Sequence, residues 1–147
     1  MPDGKAATMK KTFSRETSVN IGIQSDAARV WSLLTNASDI PRWNSTVVSI
    51  EGEIKEGGQI ELVSTLDKSR TFKLNVKEFR PNSRLVWGDA MGSRVYSIQE
   101  KAGGGVDFTM REKIGGPLFP LFSRMIPDFD ASFEQFAADL KKEAEAG

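Results

Sequence analysis

Cysteine is missing from this 147-residue chain, and with it go disulfides, thiolate metal sites and cysteine nucleophiles. Histidine is missing too, which removes the commonest general base near neutral pH and the commonest metal ligand. Both absences weigh against metal-dependent and triad-type catalysis, and no cofactor is expected. Neither sign of charge is in excess, because twenty basic side chains balance twenty acidic ones. They are interspersed, so the long-range field that steers nucleic acid is not expected either. No stretch approaches the ~20 apolar residues of a membrane span, and Met1 to Arg15 lacks the apolar centre of a secretory signal. These absences leave a soluble, cytoplasmic protein with no nucleic-acid partner and no integral membrane association as the expectation. Tyrosine occurs once, at Tyr96.

What the chain does have is enough length for a sizeable core, since a domain of this size buries roughly 70% of the surface its unfolded form exposes. Residues 1–15 show no sustained apolar period and read as a flexible arm, leaving 16–147 as one domain. From Thr17 the sequence alternates, with Val19, Ile21 and Ile23 on one side of a strand. Ser25 can cap a helix over Asp26 to Leu34, whose Ala27, Val30, Trp31 and Leu34 form one apolar stripe. Ser38 offers a second cap before a short helical turn, Asp39 to Trp43, that tolerates Pro41.

Strand-like runs follow at Thr46 to Glu53, Gln59 to Leu66, Thr71 to Arg80, Arg84 to Asp89, Arg94 to Lys101 and Val106 to Ile114. Turns at Gly57–Gly58, Asp67 to Arg70, Pro81 to Ser83, Gly92 and Gly103 to Gly105 separate them. Such short connections make neighbouring strands antiparallel. After Gly115 the period becomes helical to the C-terminus, with Phe122, Met125 or Ile126, Phe129, Phe133, Phe136 and Leu140 on one face and Pro127 expected to break or kink the first turns. The sum is an α+β protein in which a curved antiparallel sheet of about seven strands wraps a long C-terminal helix, with two short helices after the first strand. One helix, about 10–12 Å across, cannot fill a strongly curved sheet, so the order of elements implies a cavity between them.

The residues that carry a resemblance are Ser25 to Leu34, the Asp39 to Trp43 turn, the Glu78 to Trp87 hairpin and Gly104 to Gly116 before the last helix. In order and interval they resemble the START-like (SRPBCC) superfamily, in its polyketide cyclase/dehydrase and lipid-transport group, with the helix-grip fold. The resemblance implies a ligand cavity lined by the N-terminal part of the aromatic helix face, Phe122, Met125, Phe129 and Phe133. The alternative for those residues is plain core packing, which is the stronger reading for Phe136 and Leu140. On the sheet side, Leu62, Ser64, Phe72, Leu74, Trp87, Tyr96, Phe108 and Met110 share the apolar faces of their strands. Trp43 and Trp87 each offer a broad ring and an indole N–H, although a structural plug closing the barrel end is the stronger reading for Trp43.

Alternation also sets Arg94 in phase with Tyr96, and Glu112 in phase with Phe108 and Met110, so that Arg94, Tyr96 and Glu112 form the one polar set available for acid/base work or ligand anchoring. Their alternative is a solvated strand end. Asp128 and Asp130 read as favourable charge at a helix N-terminus, and Gly103 to Gly105 as a turn with no helix after it. The expected function is binding of a small hydrophobic or aromatic molecule, lipid or polyketide-like. A cyclase or dehydratase-like enzyme in the same cavity is the first alternative. The second is an interaction module of the co-chaperone or toxin/assembly-factor kind, for which no broadly apolar or charged outer surface is visible in the sequence. Nothing in the residues sets an oligomeric state.

Overall fold

The computed structural model describes residues 3–146. Eight strands form one antiparallel sheet: β1 (Ala6–Lys10), β2 (Ser14–Ile23), β3 (Val47–Gly52), β4 (Gln59–Ser64), β5 (Asp67–Arg80), β6 (Arg84–Gly88), β7 (Gly92–Glu100) and β8 (Val106–Gly115). Their spatial order is β1-β2-β8-β7-β6-β5-β4-β3. Two helices, α1 (Ala27–Thr35) and α2 (Ile40–Trp43), link β2 to β3, and α3 (Phe119–Phe122) precedes the long α4 (Asp130–Ala146). This is the helix-grip arrangement: an α+β fold in which the sheet wraps the C-terminal helix.

Of the expected N-terminal arm, residues 1 and 2 lie outside the described residues, and residues 6–10 and 14–15 are paired strand rather than frayed chain. β1 pairs with β2 from Ala6 opposite Val19 to Lys10 opposite Arg15, which makes eight strands rather than seven. The period is hidden because the inward contacts of β1 are polar. The Ala6 N–H donates to Glu134 Oε2 at 2.9 Å, and the Thr8 hydroxyl donates to Asp130 on α4. β2 correspondingly extends back to Ser14 and buries Arg15 and Thr17 in phase with Val19, Ile21 and Ile23.

Three local readings also differ. Asp26, not Ser25, caps α1, its carboxylate accepting from the Arg29 N–H at 2.7 Å. Ser38 caps nothing and turns its hydroxyl to the Asn36 side chain at 3.4 Å. Asp67 to Arg70 belong to β5, because Ser64 pairs with Asp67 across a two-residue turn at Thr65 and Leu66. Removing the cap by Asp26→Ala should cost about 1 kcal/mol of stability, read as a lowered urea midpoint with an unchanged slope.

The C-terminal segment is broken where proline demands it. A 3-10 turn, Ser123–Met125, follows α3, and Ile126 then takes φ −91° and ψ 122°. That extended conformation is the one a residue before proline is forced toward, here by Pro127. Phe122 and Met125 therefore do not continue the apolar face of α4.

The core lies between the sheet and α4, with Phe108, Phe133, Leu140, Ile23 and Leu85 among its fully buried side chains. α4 packs chiefly on β2 and β1, at one side of the sheet. On the other side, register shifts at Val47/Ser49, Leu62/Ser64 and Val76/Glu78 put an irregularity into three successive strand pairs. Bulges bend a strand and increase its twist, so the β3–β6 half curves over α4 without touching it along its whole length.

Candidate functional site

The space left by that curvature is a cavity of about 190 Å³. Leu34, Ile40 and Ile50 supply apolar wall at one end, Leu62, Phe72, Leu74 and Trp87 line the sheet side, and Phe129, Ser132 and Phe136 line the helix side. Met91, Met125, Ile126 and Pro127 border it toward the β6–β7 turn and the linker before α4, and Asp67 and Arg70 at the start of β5. Gly88 shows how tightly that rim is drawn, since a Cβ there would come within 2.3 Å of the Gly92 carbonyl oxygen.

Arg94, Tyr96 and Glu112 make the polar corner of this wall. Strand register brings them together: Arg94 on β7 lies opposite Trp87 on β6 and Glu112 on β8, and Tyr96 lies opposite Leu85 and Met110. Arg94 Nε donates to Glu112 Oε1 at 2.7 Å, with both side chains about one-fifth exposed (20% and 17%). The guanidinium also lies 5.0 Å from the centroid of the Phe133 ring, a cation–π arrangement that holds it against α4. Tyr96 packs edge-on to Trp87, with ring centroids 5.0 Å apart, and tilts against Phe136 at 5.8 Å.

These surroundings set the protonation states. Burial opposes the charge on Arg94, but the neighbouring Glu112 carboxylate, then the Tyr96 phenol, outweighs it and raises the guanidinium pKa. Burial raises the pKa of Tyr96, and the Arg94 charge offsets that only in part. At neutral pH the corner therefore holds a cation, bonded to Glu112, and a neutral phenol. It can hold a ligand oxygen by hydrogen bonds, and it offers no nucleophile with an adjacent base.

A phenol whose pKa is raised on folding contributes stability below its unfolded pKa and loses it as pH rises through the folded value. Stability should thus fall above about pH 10 more steeply in the wild type than in Tyr96→Phe, as read from urea midpoints across that range.

Of the residues singled out in the sequence, Leu62, Ser64, Phe72, Leu74, Trp87, Tyr96, Met125 and Phe129 line the cavity together with Arg94 and Glu112. Trp43, Phe108, Met110, Phe122 and Phe133 do not. Phe108 and Met110 are fully buried on β8, in the part of the sheet that α4 covers. Phe133 is buried beneath Arg94 and stacked on Phe129 at 6.1 Å. Phe122 packs edge-on against Phe119. Trp43 closes the core against Phe136 at 6.0 Å, its indole N–H buried without a partner among the described residues.

Ile126, the alternative to Met125 in the helical period, also lines the cavity, whereas Ser132, Pro127 and Met91 line it without having been visible as candidates. They sit on the polar side of a helical period, in a linker and in a turn, where no alternation marks an inward face. Phe136, read as core, touches both the core and the cavity. Arg15 supports the site from behind. It is buried, it donates to the Ile126 and Pro127 carbonyls at 3.3 and 2.7 Å, and it lies 5.0 Å from the Phe129 ring centroid. It thereby fixes the linker that edges the cavity.

No helix among the described residues is long and apolar enough to cross a membrane. A family model described as polyketide cyclase / dehydrase and lipid transport matches residues 14–145. No curated protein matches the chain. Among solved structures, the chain is similar to a protein from Rhodobacter sphaeroides at TM-score 0.69 and 18% identity, covering 97% of this chain and 100% of that one. A protein from Nitrosomonas europaea gives TM-score 0.68 at 15% identity, with 95% and 100% covered. The di-domain ARO/CYC protein BexL from the BE-7585A biosynthetic pathway gives TM-score 0.71 at 12% identity over 94% of this chain. The chain spans about half (52%) of that protein's length. At these identities the likeness is one of fold.

Proposed function

The chain belongs to the polyketide cyclase / dehydrase and lipid transport family, and from that premise we propose that it binds a small, ring-bearing apolar molecule in the cavity between the sheet and α4, with a ligand oxygen held at the Arg94–Tyr96 corner. The observation that carries this reading is the composition of the wall: mostly apolar and aromatic side chains, with the ion-paired Arg94 and Glu112 grouped beside Tyr96 at one corner and Thr46, Ser64, Asp67, Arg70, Asp89, Ser93 and Ser132 as its other polar members. Such a distribution fits a ligand whose body is held by burial and whose orientation is set by a few polar contacts. About 190 Å³ suits a compact molecule of two or three rings better than a whole long-chain lipid.

Trp87 reports on occupancy, because it is buried and lines the cavity. Titration with naphthalene and anthraquinone carboxylates is expected to quench its emission with one-site saturation. In Trp87→Phe the quenching should shrink to what Trp31 and Trp43 contribute while binding measured by calorimetry persists. Linear quenching without saturation would remove the reading.

The convergence of Arg94, Tyr96 and Glu112 favours a second reading, in which the same cavity folds a reactive chain for cyclisation or dehydration. In that case the Glu112 carboxylate would take the α-proton as a carbonyl becomes an enolate, Arg94 would stabilise the negative charge on its oxygen, and Tyr96 would donate a hydrogen bond to it. Shape would supply much of the effect by holding reacting atoms close. Turnover of a polyketide-like substrate that survives Tyr96→Phe combined with Glu112→Gln would assign those two residues no part in it.

A further inference from the structure

One end of the molecule carries large apolar side chains facing solvent. Leu118, Leu121 and Met125 are 64%, 80% and 81% exposed, Phe13 is 58% exposed, and Met91 joins them. Backbone bonds hold these segments side by side: the Gly116 N–H donates to the Phe13 carbonyl at 3.0 Å and the Gly115 N–H to the Met91 carbonyl at 2.9 Å. The outer surface is therefore not uniformly polar, as the sequence suggested. The apolar residues come from the β1–β2 turn, the β6–β7 turn and the α3 segment, which is why no run of sequence displays them. Met91 and Met125 are also part of the cavity wall, so the exposed patch is continuous with the mouth.

Charge at this end is uneven although the chain as a whole is neutral. Lys10 and Lys11 at the β1–β2 turn, Lys68 and Arg70 at the start of β5, and Arg124 beside Met125 are all exposed. The carboxylates near the same rim are Asp67, Asp89 and Asp128, three against these five cations. Five exposed cations in the segments that carry these solvent-facing Leu, Met and Phe side chains or border the cavity match a surface that is anionic outside and apolar just beneath.

From this juxtaposition we infer that the cavity mouth docks on an anionic lipid bilayer, the exposed apolar side chains entering the interface and the cations meeting the headgroups. Exposed apolar patches of this kind mark interaction sites, and interfacial binding combines buried apolar area with attraction of Lys and Arg to anionic lipid. Docked this way, the mouth faces the layer from which an apolar ligand would leave or into which it would pass. The inference goes beyond ligand binding and does not depend on it, because docking is measured without any ligand.

Co-sedimentation with extruded vesicles of phosphatidylcholine alone and of phosphatidylcholine with phosphatidylglycerol tests it. The wild type is expected to partition onto the anionic vesicles, not onto the neutral ones, and to be released by added salt. Leu118→Ser with Leu121→Asp should lower partitioning by about tenfold or more, and Lys10→Glu with Lys11→Glu should do so independently. All four positions are exposed, and thermal melting of each variant verifies its fold. Equal partitioning on both vesicle types, or no loss in either variant, would overturn the inference. So would a wild-type dimer that Leu121→Asp converts to monomer, since the patch would then be an interface between two copies. In any of these results, uptake of the naphthalene carboxylate without vesicles still reports separately on the cavity.

Discussion

Replacing Phe108 with alanine should cost about 4 kcal/mol of folding stability, the magnitude typical of deleting a buried phenylalanine ring. Phe108 is fully buried on β8, stacked near Phe136 at 6.4 Å and tilted against Tyr96 at 6.3 Å. The loss comprises the transfer of the ring out of water and the void left behind, which the surrounding aromatic side chains can fill only in part. Against the 5–15 kcal/mol roughly available to a domain, the variant would be strongly destabilised at room temperature. Chemical denaturation should show the loss as a displaced midpoint with an unchanged slope. Phe108→Leu, which keeps most of the apolar volume, should recover more than half of it. Because Phe108 lies outside the cavity wall, the leucine variant should bind the same apolar probes as the wild type.

Arg94→Leu should destabilise the fold by about 2 kcal/mol, below the 3–5 kcal/mol expected of a fully buried pair, because both members retain some exposure to the cavity. The cause is what remains behind. Glu112, 17% exposed, loses the donor at 2.7 Å and stays in the wall as an unpaired carboxylate, while Phe133 loses the cation beside its ring. Glu112→Gln should cost less, since an amide oxygen still accepts from the Arg94 Nε–H. Combining Arg94→Leu with Glu112→Leu should restore stability relative to Arg94→Leu alone, and that non-additivity measures the pairing. Binding should divide in the same variants. Affinity for naphthalene carboxylate should fall in Arg94→Leu, while affinity for an unsubstituted aromatic hydrocarbon should hold or rise.

The alternation of Val19, Ile21 and Ile23 on β2, and of Arg94, Tyr96 and Ile98 on β7, made the inward faces legible because the side-chain period of a strand is two wherever one face meets a core. Polar residues in that phase, Arg94 and Glu112, could be assigned to the inner face on the same ground. Their pairing required the register of β7 against β8, which no local pattern encodes. Alternation also names a face without saying how far along it the helix reaches. Hence Phe108 and Met110, in phase with true wall residues, lie outside the cavity, whereas Leu62, Phe72 and Leu74 line it beyond a bulge.

On the helix side, spacing alone ran Phe122 and Met125 into the face that Phe129, Phe133 and Phe136 form. Pro127 separates them, and the linker it creates puts Ile126 on the cavity wall and Met125 at its solvent-exposed edge. β1 was illegible for a different reason, since its partners on α4 are Glu134 and Asp130, and a strand held by polar contacts leaves no apolar period.

The measurement that bears most directly on ligand binding in the cavity is native mass spectrometry of the wild type and of Ser132→Trp after incubation with a naphthalene carboxylate. Ser132 lines the cavity from α4, so an indole there fills the space without displacing a core residue. The wild type should carry one ligand per chain, and Ser132→Trp, equally folded by circular dichroism, should carry none. Equal adducts on both proteins would place the ligand elsewhere and contradict the account, as would a wild type that takes up no apolar probe at all.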